Sequence, residues 1–302
     1  MYDLVSIGSL TIDLYFQGES LTVHNGRFEL AYGGKYVTDH FHESLGGGAT
    51  NVAIGVRRHG LAVTLKTTIG DNGFRSMVEQ KLQEDRVSYI HSHFDSRYQS
   101  ISCIIQSPKG DKTVLTYKTP HQHIFTSERE KRGLLRTKAV FMANMSDISF
   151  SQKVEVKNFF KRHEKTIFLN LGTTDCRRSR EQVKELIEGV DVLIVNGHEY
   201  AELIKTNFKD VAFDSNLFHK LHIPGLKALI VTNDKKGSHG YTQDSMYYQV
   251  AIEPLRIIDS TGAGDGYTAG FIASYLKGHS IPSAMEAGAR HASRILAKLG
   301  AN

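Results

Sequence analysis

The chain of 302 residues carries a formal net charge of +5, with 40% hydrophobic and 23% charged residues and a mean hydropathy of −0.30. Such values fit a globular protein with a sizeable core, and no stretch approaches the roughly 18 apolar residues of a membrane span. The charge excess suits an anionic small molecule, whereas the lack of long basic runs or basic–aromatic interleaving argues against nucleic acid, and Cys103 with Cys176 provide neither a disulfide framework nor a metal cluster.

In chain order, Met1-Tyr2-Asp3-Leu4-Val5 enters an apolar strand with no basic region or cleavage site, which predicts a cytoplasmic protein. Gly8 and Asp13 follow, and residues 14 to 44 lack a long helical pattern. Next comes Gly46-Gly47-Gly48-Ala49-Thr50-Asn51-Val52-Ala53, with Gly60 and Gly70 beyond it. Between 98 and 119, alternating Ile101, Cys103 and Ile105, a Pro108-Lys109-Gly110-Asp111 turn and Thr113 to Lys118 predict a hairpin. The mixed-sign run Glu128-Arg129-Glu130-Lys131-Arg132 reads as a solvated helix face.

Four apolar runs, 139–142, 166–169, 192–195 and 228–231, predict buried parallel strands. Helical periodicity at 154–161 and 181–187 supplies the crossovers of βαβ units. Asn144, Asn170, Asn196 and Thr232 follow those runs, so they are expected to line one crevice at the strands' carboxyl ends, although each also fits a turn start. Residues 250 to 258 read as extended, which sets Asp259-Ser260-Thr261-Gly262-Ala263-Gly264-Asp265 between a strand and the helix at 266–277.

The Asp259–Asp265 segment has the chemistry to hold and attack a phosphate. Glycines let backbone N–H groups converge on an anion, the helix N-terminus adds unpaired donors, and Asp265 can take a proton from an attacking hydroxyl. Simple capping by Asp259, Ser260 and Asp265 is the alternative. Asn196-Gly197-His198-Glu199 offers an amide and a carboxylate at a strand end, enough for water-mediated magnesium, or equally a helix cap with Glu199 in the first turn. The chain has no G-x-x-x-x-G-K-[ST] motif. His40 with His42, and His121 with His123, are spaced to share a strand face and read as exposed polar residues rather than metal ligands.

Together the two glycine clusters resemble the signature motifs of the ribokinase-like, or PfkB, kinases: paired glycines, Asn51, a small residue and Gly60 and Gly70 in the first, and G-A-G-D with a preceding acid and Ala269-Gly270 in the second. The resemblance implies an α/β three-layer fold over 1–302, with a mainly parallel sheet and a small β-sheet lid inserted at 14–44 and 98–119. In some members such lids pair across a homodimer. It implies ATP-dependent transfer to a sugar hydroxyl. A nucleoside such as adenosine is the alternative, since Ala287-Gly288 and the helix ending in Lys298-Leu299-Gly300 resemble adenosine kinases. A binding regulator without turnover is disfavoured by the intact Asp265.

By that resemblance Asp265 is the base and Gly262, Ala263 and Gly264 form the anion hole. Asn196 and Glu199 organise Mg2+, while Thr232, Gly237 and Gly264 contact ATP. Asp13, Gly46, Gly47, Asn51 and Asn144 face the sugar, and Asp259 and Thr261 match backbone positions that bind a monovalent cation such as K+ in many relatives. Two departures stand out: Asp234 replaces the first glycine of T-x-G-x-x-G, and Asp85-Arg86-Val87 lacks the glycine that often precedes the valine. Arg97 fits either a phosphorylated sugar or the surface.

Overall fold

The computed structural model describes residues 1–119, 124–125 and 127–302, so His121 and His123 lie outside the described residues. Apolar runs without polar alternation need cover on both faces. All four become parallel strands, Thr137–Met142, Thr166–Asn170, Val192–Asn196 and Ala228–Thr232. The eight-stranded sheet runs in the order Met246–Gln249, Ser238–Tyr241, Ala228–Thr232, Val192–Asn196, Thr166–Asn170, Thr137–Met142, Tyr2–Ile7, Val63–Lys66. Only the pairings that involve the first two of these are antiparallel.

Successive strand residues face opposite layers. Leu4, Phe141, Phe168, Ile194 and Ile230 enter one core, with residues of helices Gly48–Arg58, Ala263–Leu276 and Ile281–Leu296. Their neighbours Val5, Val140, Ile167, Leu193 and Leu229 enter the other, with residues of Phe150–Arg162, Arg180–Ile187 and Gly197–Leu203. Helix Ala263–Leu276 is buried from Gly266 to Ser274. It packs closely on Ile281–Leu296 because Gly270 and Gly288 carry no Cβ: one at Gly270 would come within 2.5 Å of the Ala287 carbonyl oxygen, and one at Gly288 within 2.8 Å of that of Tyr267.

A second sheet of four strands, in the order Lys112–Lys118, Ser100–Gln106, Thr11–Gln17, His40–Gly46, forms the lid. The hairpin lies at Ser100–Lys118, and the first lid strand starts at Thr11, ahead of residue 14. In Ser100–Gln106 the buried positions are Ser100, Ser102, Ile104 and Gln106, not Ile101, Cys103 and Ile105. The lid therefore turns a largely polar face inward, as a cover over a polar site does and a core sheet does not. His40 and His42 are exposed on its edge strand.

Two expectations are corrected. Residues 251–258 are not a strand: the ladder stops at Gln249, and Pro254, which lacks an N–H, sits in an irregular segment with Leu255, Ile257 and Ile258 exposed. Nor is 128–132 solvated throughout, because Glu130 pairs with the buried Lys66 at 2.6 Å. No described helix is long and apolar enough to cross a membrane.

Candidate active site

Gly262 adopts φ 74°, ψ 1° as the N-cap of helix Ala263–Leu276. A Cβ there would lie 2.4 Å from that of Ala301, so both its conformation and its surroundings require glycine. A Cβ on Gly264 would meet nothing within 4 Å; this residue is exposed to the cavity described below. Ala263 N–H is turned toward the Ser260 carbonyl at 3.4 Å, whereas Gly264 and Asp265 lie in the first turn, whose N–H groups have no partner within a helix.

Asp265 is partly buried and accepts a hydrogen bond from Asn51 Nδ2 at 2.7 Å. Burial raises its carboxyl above the usual range, against the pull of that hydrogen bond. The contact joins the two glycine motifs, which the topology brings together by packing helix Gly48–Arg58 against Ala263–Leu276. Asn51 Oδ1 is buried and has no hydrogen-bond partner among the described residues.

Toward the carboxyl end of strand Ala228–Thr232 lies a cavity of about 690 Å³. Thr232, Gly237 and Gly264 line it, and so do Lys236 and Tyr267. Asp234 has φ 45°, the backbone region that glycine favours, so the loop keeps a glycine-like path despite the substitution. At the other departure Arg86 does the same with φ 54°. Asn196 and Glu199 form a complete capping box: Glu199 N–H donates to Asn196 Oδ1 at 2.9 Å and Asn196 N–H to Glu199 Oε2 at 2.8 Å. The box leaves out Glu199 Oε1. Burial raises the Glu199 carboxyl, and the nearby charge of Asp265 raises it further. Two carboxylates in mutual repulsion beside the unpaired N–H groups of a helix N-terminus fit a divalent cation that keeps most of its water.

The surroundings of Asp13 are closed. Asp13 is 6% exposed, and burial pushes its carboxyl up to about 6, with Ser102 opposing the shift and Asp259 adding to it. A Cβ on Gly46 would come within 2.1 Å of Asp13 Oδ2. Gly47, with φ 93°, would place one 2.4 Å from the Ser9 carbonyl oxygen. Both glycines therefore make room for Asp13 and for the sharp entry to the Asn51 helix.

The four strand-end polar residues share one edge of the sheet, but among them only Thr232 lines the large cavity. Asn170 is spent on the Ile194 carbonyl at 2.9 Å, and Asn144 packs beside Gly172. This cavity is therefore not the one crevice expected of all four: Asn170 and Asn196 are taken up by local hydrogen bonds, and Asn144 lies outside its lining. Sequence reasoning missed Tyr267, whose ring position follows from its helix, and Lys112, whose partners lie 147 and 149 residues away. Only the hairpin's placement could have pointed to Lys112.

A doubly covered parallel sheet, a small lid and a glycine-capped helix carrying an acid define a ribokinase-like kinase fold. The family described as pfkB family carbohydrate kinase matches residues 1–302, and the chain belongs to it. It is 24% identical over 304 residues to a nucleoside kinase of Methanocaldococcus jannaschii, covering 99% of this chain and 92% of the relative. It is 26% identical over 314 residues to a 5-dehydro-2-deoxygluconokinase of Geobacillus thermodenitrificans, covering 97% and 87%. A structure of Arabidopsis thaliana ribokinase complexed with ribose and ATP superposes with a TM-score of 0.83 at 20% identity, covering 99% of this chain and 94% of that one.

Proposed function

We propose that the protein transfers the γ-phosphoryl group of ATP to a hydroxyl of a sugar, assisted by Mg2+. Phosphoryl transfer asks the protein mainly for positioning and charge stabilisation. In this reading Asp265 accepts the acceptor's proton, and its raised carboxyl places it nearer the operating pH than a solvated aspartate. Asn51 holds that carboxylate in register. Backbone N–H groups of Gly262 and Gly264, with the helix N-terminus behind them, face the charge that develops on the transferred group. ATP lies in the cavity of Thr232, Gly237 and Gly264, with Asn196 and Glu199 holding hydrated Mg2+, which neutralises phosphate charge when bound.

The observation that carries the acceptor class is the buried Asn51 Oδ1 without a donor, on a side chain bonded to the Asp265 carboxylate. An orphaned acceptor beside a carboxylate, with the buried Asp13 carboxyl under the lid, calls for O–H donors, which a polyol supplies. The full-length similarity to a nucleoside kinase supports a ribose-bearing nucleoside as the second reading. The inward polar face of the lid closes over the acceptor in either case, and exposed Val114, Leu115, Tyr117 and Phe41 suit pairing of lids in a homodimer. Single-turnover transfer from labelled ATP to a panel of sugars and nucleosides tests the proposal. Transfer to free sugars is expected; transfer to nucleosides alone replaces the acceptor class, and transfer to neither removes the kinase reading.

A further inference from the structure

Asp259 and Thr261, expected by resemblance to help bind a monovalent cation, already hold a cation of the chain's own. Lys112, at the start of the lid strand Lys112–Lys118, places its ammonium 2.5 Å from Asp259 Oδ1 and in hydrogen-bond contact with Thr261 Oγ1. The Asp259 side chain is fully buried, whereas that of Lys112 is 25% exposed. Every oxygen of this carboxylate is engaged. Oδ1 also accepts Thr261 N–H at 2.9 Å and Thr261 Oγ1 at 2.7 Å, and Oδ2 accepts Gly300 N–H at 3.2 Å. Thr261 Oγ1 donates its proton to Asp259 and accepts from Lys112. A free metal cation needs several oxygen ligands turned toward it, and this turn presents an ammonium there instead. The side-chain oxygens of Asp259 and Thr261 are therefore not free to hold K+ as well.

We propose that Lys112 is a built-in substitute for the monovalent cation, so that the lid itself delivers the positive charge that fixes the Asp259–Gly262 turn. The turn runs straight into left-handed Gly262 and the first N–H groups of helix Ala263–Leu276. Neutralising Asp259 removes a buried negative charge from the neighbourhood of incoming phosphates. Because the charge rides on the lid hairpin, opening the lid withdraws it, and closure and anion-hole geometry become one event. Lys112 is thus a positioning residue that acts through Asp259 and Thr261.

The test compares wild type and Lys112→Met in KCl and in choline chloride at equal ionic strength, by thermal unfolding and, on the kinase reading proposed above, by phosphoryl transfer. Wild type is expected to show the same melting temperature and rate in both salts. Lys112→Met is expected to lose about tenfold or more in rate, the scale of a lost charged hydrogen bond, and to recover rate and melting temperature specifically with K+ or NH4+. A wild-type melting temperature or rate that rises specifically with K+ overturns the proposal. So does a folded Lys112→Met that is as active as wild type, or one that no cation rescues. Should Lys112→Met fail to fold, the wild-type salt comparison still decides, and Lys112→Arg, which keeps a charge, is expected to fold and remain indifferent to K+. If no acceptor takes phosphate at all, the kinase reading fails while the melting experiment still judges Lys112.

Discussion

The two halves of the site are built on different principles. Around the 690 Å³ cavity the lining relies on backbone, small residues and apolar surface, with Gly237 and Gly264 at the wall. Around Asp13 the lining is buried charge, each group held by particular neighbours: Asp13 over Gly46, Asp265 on Asn51, Asp259 on Lys112 and Thr261. A backbone-built half tolerates side-chain change as long as φ and ψ are kept, which is how Asp234 stands in for a glycine. A half built on buried charge tolerates little, because removing one partner leaves the other desolvated and uncompensated.

The sharpest break of that contrast is Asp265→Asn, which keeps the shape and the contact to Asn51 but removes the proposed base. Turnover should fall about a hundredfold or more while ATP affinity stays within a few-fold; single-turnover rates and equilibrium nucleotide binding measure the two separately.

Gly46→Ala should damage only the acceptor half, since the added Cβ would sit 2.1 Å from Asp13 Oδ2. An increase of about ten- to a hundredfold in acceptor KM is expected, with KM for ATP little changed. Equal loss on both substrates would mean that the halves are not separable.

Asp13 adds a pH test. With its folded pKa raised from 3.8 to about 6, it holds a proton more tightly in the folded chain, so its contribution favours folding below about pH 4 and is lost as pH rises through 6. Asp13→Asn should therefore be more stable than wild type at pH 8, by at most about 3 kcal/mol, and lose that advantage near pH 4. Urea unfolding at the two pH values measures it, and phosphoryl transfer to the acceptor by this variant should be weak at both.

Smaller effects are expected where the backbone dominates. Glu199→Gln keeps an acceptor for Asn196 N–H, so stability should hold while the Mg2+ concentration for half-maximal rate rises several-fold; an unchanged magnesium titration would confine Glu199 to its capping role. Arg86→Gly relieves left-handed strain at an exposed position and should stabilise by about 1 kcal/mol, or about 2 °C in melting temperature.

Sequence legibility followed the range of the forces involved. The parallel strands, the helices and the glycine-capped entry at 262–264 were readable because periodicity and glycine act within a few residues. The strand expected at 250–258 was not realised, since an extended apolar run becomes a strand only if a neighbouring strand accepts its hydrogen bonds, and here the ladder stops at Gln249. Glu130 looked solvated because its partner, Lys66, is remote in sequence.

By itself the sequence determined the buried parallel strands with their crossover helices, the placement of the second glycine motif at a helix entry and the residue types able to hold a phosphate, all consequences of local propensity and hydrophobic period. Only the tertiary structure decided that Asn51 would meet Asp265 across 214 residues and that a lid lysine would reach the turn at Asp259. The Asn51–Asp265 and Lys112–Asp259 pairings depend on the crossing of whole helices and sheets, which no spacing along the chain encodes, whereas the Asn196–Glu199 cap is a local contact that the sequence offered beside a magnesium role and the structure realised.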